Sequence, residues 1–343
     1  MVGLQFVRTT SSYTSWMPAI VQFALWAEWK SLSVISSDET VYFRATQELV
    51  RAMRTSQMEV RITVDFSPPR KLLDTEFERI EAVGRVVLVL AYGADLAEIA
   101  VAARRMGLIT EGWAWLGLDV VLGADQFVEE VARQEARLAL DGWIYFEPHT
   151  IVPPDFNDRV RDATNSKFPH AGNFSQSTFA ANMFDSILLF ASAVGLHPSE
   201  LHDGRLLVRS MMNVSVQGMT GLVRLDENGD MLEQLHAVNY LRTEHGQMES
   251  IVVGVLNRSL AAPLYAPIPN VVITWPGRSR KVPPEVAPGT TFNTTWLLVG
   301  SGSAGVIIVI GLLICVRKKY KDLQHLMFML FSEVVEIVGS VCM

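Results

Sequence analysis

Four short stretches place polar or small residues directly after an apolar run. Ser36, Ser37 and Asp38 close "SLSVISSD", Tyr92 and Gly93 close "RVVLVLAYG", Asp119 ends "WAWLGLD", and Glu147 follows "GWIYF". The serine hydroxyls and nearby backbone N–H groups can hold a carboxylate, while Asp119 or Glu147 can pair with an ammonium group. The same residue types also cap helices that follow strands, so each position has a structural use beside the binding one. Catalysis finds less support. The seven histidines are scattered, and neither HExxH nor a phosphate loop ending in Gly-Lys-Ser/Thr occurs. His197 and His202 beside Asp203 have metal-ligating types, but they read as a solvated loop at a helix start. Glu147 with His149 is one acid/base pair without further geometry. No catalytic residue, metal or cofactor is assigned.

One further stretch, "WLLVGSGSAGVIIVIGLLICVRKKYK" (residues 296–321), admits two readings. As a nucleotide loop it offers Gly300-x-Gly302-x-x-Gly305 after a short strand. That use needs a complete strand-helix-strand unit with an acidic residue further on, and here four cations interrupt it. As a membrane helix, residues 296–316 carry no charge and would span about 31 Å at the helical rise, the thickness of a hydrocarbon core. Trp296 and Tyr320 sit near the two edges, and Arg317, Lys318, Lys319 and Lys321 place the C-terminal side in the cytoplasm. The membrane reading is preferred, with a nucleotide-cofactor oxidoreductase as the remote alternative. Gly300 with Ala304, and Ser301 with Gly305, have the spacing that lets two such helices approach.

Composition narrows the partners. A net charge of -7 argues against nucleic acid, which needs a basic face. The cysteines are Cys315 and Cys342, so nothing before them can form a disulfide or a Cys-based zinc site. Sequons begin at Asn173, Asn213, Asn257 and Asn293, all on the side expected to be outside the cell, where glycan addition is possible. The first residues lack the apolar core of a secretory signal, so a leader is expected upstream.

Positioning the four polar stretches requires strands separated by helices. Strands are expected at "SLSVISS", "EVRITVDF", "RVVLVLAYG", "WAWLGLD" and "GWIYFEP", with helices at residues 42–56, 72–83, 94–107 and 124–139 between them. Continuous apolar strands alternating with helices imply a doubly wound α/β fold with a mainly parallel sheet. A long helix is expected over residues 175–195 and a shorter one over 203–212. Asn228-Gly229 marks a hairpin turn in "LDENGD", and residues 237–254 read as a second hairpin. Seven of the fifteen prolines lie between Pro263 and Pro288, the composition of an extended linker. The expected division is a ligand-binding α/β region over 1–260, a linker over 261–293, a transmembrane helix over 296–316, and a cytoplasmic segment over 317–343. Residues 325–343 suit either a second membrane helix or an amphipathic juxtamembrane helix.

Several blocks carry a resemblance: "FVRTTSS", "WKSLSVISSDETVYF", "FAANMFDSILLFASAV", "DGRLLVRSMMNVSVQGMTGLVRLDENGDM" and "ITWPG". Together they resemble the receptor ligand-binding region of the type I periplasmic-binding-protein fold. That group includes natriuretic peptide receptors, receptor guanylyl cyclases and the ectodomains of class C G-protein-coupled receptors. The chain most resembles the guanylyl cyclase and natriuretic peptide receptor ectodomains, with a truncated class C receptor as the alternative. The resemblance enters the domain partway, so residues 1–260 should be mostly the second lobe plus returning hinge segments. It implies a small-molecule or peptide ligand between two lobes, a homodimer, an outward-facing N-terminal region, and a change of shape transmitted across the membrane. The family's ectodomain disulfides have no counterpart here.

Overall fold

The computed structural model describes residues 7–68, 72, 74–149, 178–232, 234–256 and 265–286. Strands β1 (Ser31–Ser37), β2 (Glu59–Phe66), β3 (Val86–Leu90), β4 (Ala114–Leu118) and β5 (Trp143–Pro148) run parallel. Strands β8 (Leu235–Arg242), β9 (Met248–Leu256) and β10 (Tyr265–Pro267) extend the β5 edge antiparallel. Together they make one eight-stranded sheet in the order β10-β9-β8-β5-β4-β3-β1-β2.

The parallel strands need crossovers, and the sequence supplies helices for them. Helices α1 (Tyr13–Trp26) and α2 (Thr40–Thr55) cover one face, where Ile20, Phe23, Tyr42 and Leu49 meet Val34, Leu88, Leu116 and Phe146. Helices α3 (Asp74–Val83), α4 (Gly93–Arg105) and α5 (Glu130–Ala139) cover the other, where Phe77, Ile80 and Leu96 meet Val64, Val87, Trp115 and Trp143. Every residue of β1, β3 and β4 is buried, as expected of strands covered on both sides. The doubly wound reading therefore holds, with a three-stranded antiparallel extension. Because α2 leads outward to β2 and α3 returns across the sheet to β3, the winding reverses between β1 and β3. In open α/β sheets ligands enter at such a reversal.

Two local expectations are corrected. Residues 124–139 do not form one helix: Ala124–Gln126 is a 3-10 turn, and α5 begins at Glu130. Asp125 explains the break, since its buried carboxylate takes 2.7 Å from Arg137 Nε and lies 3.4 Å from Tyr240 Oη, holding the segment against the sheet. Helix α1 has no counterpart among the expected elements. It is apolar on most sides and carries Pro18, so it lacks the helical period that marks α2.

Helix α6 (Thr178–Leu196), helix α7 (Gly204–Asn213), and the hairpin of β6 (Val216–Gly218) and β7 (Gly221–Val223) build a satellite core around Leu189, Ala193, Met211, Val223 and Met231. Asp185 of α6 is fully buried and accepts from Met219 N (2.6 Å) and Thr220 N (2.9 Å). Asp203 caps α7 through Arg205 N at 2.9 Å, the structural use expected of that loop. The Asn228-Gly229 turn forms, with Leu225 bridged to Met231, and Arg8 grips Asp230 through two bonds of 2.6 and 2.7 Å. The proline-rich residues 265–286 lie on the lobe: Trp29 Nε1 donates to Pro283 O at 2.8 Å, and Ser31 N donates to Glu285 Oε2 at 2.9 Å. Among the described residues no helix is long and apolar enough to cross a membrane; residues 296–316 lie outside them.

Candidate functional site

Helix α1 runs antiparallel to the strands of the sheet, so its first residue reaches their carboxyl edge. Tyr13 Oη there donates to Asp119 Oδ1 at 2.8 Å. The Tyr13 ring stacks on Tyr42, with centroids 5.8 Å apart and planes 14° from parallel. Tyr42, near the start of α2, meets the edge of Tyr92 at 5.0 Å and 78°. Three tyrosines thus form a continuous wall across the β1/β3 reversal. Tyr92 stays about half exposed at 48%, whereas Tyr42 is fully buried.

Carboxylates lie along this wall. Glu39 N-caps α2 by position, and burial together with its charge raises the Tyr92 phenol. Burial holds the Asp119 carboxyl above the ordinary aspartate range, opposed by the bond from Tyr13. Burial also lifts Glu147 to about 7, with the Asp119 charge adding and a hydrogen bond from Tyr145 opposing. Asp95, in the first turn of α4, is raised by burial and by the charges of Glu98 and Glu39. At the end of β5, His149 Nδ1 lies 2.6 Å from His236 Nε2 of β8. Burial favours the neutral form of both rings, pulling His236 down to about 4.

The residues singled out in the sequence separate into two groups. Ser36 and Ser37 are buried and engaged internally: Thr46 Oγ1 donates to Ser36 Oγ at 2.9 Å, and Ser37 Oγ accepts from Glu39 N at 3.4 Å. Asp38 is exposed and accepts from Ser67 Oγ. Tyr92, Gly93, Asp119 and Glu147 lie along the carboxyl edge. Gly93 begins α4, and a Cβ there would fall 2.8 Å from the Phe127 ring, so glycine lets that ring close over the helix start. Asn213 is exposed at the end of α7, while Asn173, Asn257 and Asn293 lie outside the described residues. Tyr13, Glu39, Tyr42 and His236 were not reachable from the sequence pattern. Tyr42 falls on the apolar face of an amphipathic helix and reads as core, and His236 joins the site only through antiparallel pairing of β8 with β5.

An open depression of about 430 Å³ lies beside the β8–β9 turn, lined by Leu241, Arg242, Glu249 and Arg278 among others. It is at the amino edge of the parallel strands, away from the aromatic and acidic wall, and one of its two arginines, Arg278, is already paired with Asp141 at 2.9 Å. The carboxyl edge is the better candidate.

Comparison with known proteins bears on the family of the chain. The family model described as "Receptor family ligand binding region" matches residues 4–243. A "Metabotropic glutamate receptor-like protein E" of Dictyostelium discoideum is 23% identical over 239 residues, which cover 65% of this chain and 28% of that protein. The chain therefore spans well under half the length of this relative. The matched span takes in all five parallel strands and the reversal between β1 and β3, and on that basis the chain belongs to the receptor ligand-binding-region family.

Proposed function

We propose that this chain is the outward-facing ligand-binding part of a membrane receptor, taking a small molecule or peptide against the carboxyl edge of its parallel sheet. The observation that carries the reading is the Tyr13–Asp119 bond and its tyrosine wall, set at the winding reversal inside the family-matched residues. A second lobe would close over this edge. Helix α6 supports such a cover: Met183, Ile187 and Phe190 are exposed, and its one charged residue, Asp185, is buried. A helix apolar on nearly all sides is ordinarily enclosed.

In this reading residues 296–316 cross the bilayer, the receptor is a homodimer, and lobe closure shifts the paired juxtamembrane segments. Closure can be driven only to the extent that ligand prefers the closed form. The likeness to a metabotropic glutamate receptor-like protein favours a class C type of receptor over a receptor guanylyl cyclase. The complete transcript distinguishes them: further membrane helices support the first, a cyclase domain the second. Binding is tested by titration calorimetry of the full-length protein with amino acids, amines and peptides. Saturable binding that Asp119→Asn weakens at least tenfold is expected. Silence across the whole panel overturns the proposal.

A further inference from the structure

We propose that the ligand is an organic cation with at least two amino groups, a linear di- or polyamine, held along the acidic wall at Tyr42. This rests on the carboxyl edge being the binding site, and it commits that site to one chemical class.

Two of the buried atoms that lack a partner belong to the aromatic and acidic wall. Among the described residues, Tyr42 Oη and Glu39 Oε2 are shut off from solvent and hydrogen-bonded to nothing. A buried polar atom without a partner is costly, so its persistence needs a reason. The Tyr42 ring is fixed between Tyr13 and Tyr92, and the acidic charges that act on its hydroxyl are those of Asp119, Glu39 and Asp95. The orphan hydroxyl therefore belongs to the acidic wall. A carboxylate oxygen can only accept, so the group that would satisfy Glu39 is a donor.

Charge fixes the sign of the ligand. Glu39 and Asp95 stand at the starts of α2 and α4, after β1 and β3. Asp119 and Glu147 stand at the ends of β4 and β5, further along the sheet order. Among the described residues none of these four has a salt bridge to Lys or Arg. A dicarboxylate would meet repulsion at both ends. An α-amino acid would satisfy one side and bring its own carboxylate to the other, and the serine hydroxyls that could have received it are engaged within the protein. Two ammonium groups joined by a short alkyl chain meet a carboxylate pair at each end. The tyrosine faces between them suit both the methylenes and the cations.

The test is calorimetric titration of the full chain with spermidine, putrescine, butylamine, glycine and glutamate. Spermidine and putrescine are expected to bind at least tenfold tighter than butylamine, and glutamate at least a hundredfold weaker than spermidine. Glu39→Gln should erase the preference for two amino groups over one. Tyr42→Phe should weaken spermidine at least tenfold while leaving the melting temperature unchanged or higher, because it deletes an orphan hydroxyl; a merely structural tyrosine would lose stability instead. Glu249→Gln, an exposed acid far from the site, should change nothing, which separates binding from adsorption of polycations to an acidic surface. If glutamate or glycine binds tighter than the amines and Asp119→Asn abolishes it, the site stands and the polyamine inference falls. If spermidine binds but is indifferent to both Glu39→Gln and Tyr42→Phe, the inference falls as well. If nothing in this series or in the wider panel binds, the site falls with it.

Discussion

Glu147 shows what one side chain can reveal about an acidic wall. Its carboxyl sits near 7 because burial and the Asp119 charge both oppose ionisation. The folded chain therefore holds this proton more tightly than the unfolded chain, where the group titrates near its ordinary value of 4.5. Stability should fall as pH rises from about 4.5 to 7, with the full penalty present above that window. Glu147→Gln removes the charge and keeps the shape. At pH 8 it should raise the unfolding free energy by about 3 kcal/mol, from a shift of that size, and at pH 4 it should change little. Urea denaturation across this range checks the sign. Lower stability of the variant at pH 8 would mean that a cation already neutralises Glu147, which would also undercut the demand for an external amine. Asp119 and Glu147 could be named from residue type and position after a strand, since the rule that nominates them is topological. Tyr42 could not, because an aromatic on the apolar stripe of a helix is ordinarily core. Only its unsatisfied hydroxyl distinguishes it.

At the scale of elements, the strands were legible because β1, β3 and β4 are buried on both faces and so read as unbroken apolar runs. The limits of β1 and β2 match the sequence reading residue for residue. Helices were legible where one face is polar, as in α2, and lost where that contrast disappears, as in α1. Pairing across long separations leaves no local trace, and the junction of β5 with β8 is the clearest case. It sets Glu147 opposite His236 and brings His149 within 2.6 Å of it. Both imidazoles are depressed by burial, and His236 also by its neighbour. Their contribution is complete above the unfolded value near 6.5 and is lost as pH falls toward 4, the reverse of the Glu147 effect. Because Glu147 faces the same junction, with Asp119 and Tyr145 beside it, the two effects are best separated in the Glu147→Gln background. There, His236→Gln should cost about 1 kcal/mol at pH 8, through the lost ring contact, and should flatten the acid limb between pH 6.5 and 4. An acid limb as steep as before would show that the histidine pair does not titrate with folding.

The whole molecule has to place its acidic wall outside the cell for an extracellular ligand to reach it. Asn213 offers the most direct reading of that orientation, because it is exposed at the end of α7 with Ser215, also exposed, two residues on. An acceptor at a helix end, clear of the sheet core, leaves room for the transferring enzyme. Expressed behind a cleavable leader in glycosylating cells, the chain should lose mass on endoglycosidase treatment, and Asn213→Gln should remove one step of that ladder. The same chain should stay with membranes through carbonate extraction, while a version ending at Ala287, where the first compact unit closes, should be released into the medium. The two measurements respond to different parts of the chain. Glycosylation reports the side on which the lobe lies, and carbonate resistance reports whether residues 296–316 enter lipid. A glycosylated chain that washes off would keep the ligand-binding lobe outside and remove the membrane helix. An unglycosylated chain that also washes off would remove the outward-facing receptor, leaving a sheet whose acidic edge must serve some ligand inside the cell.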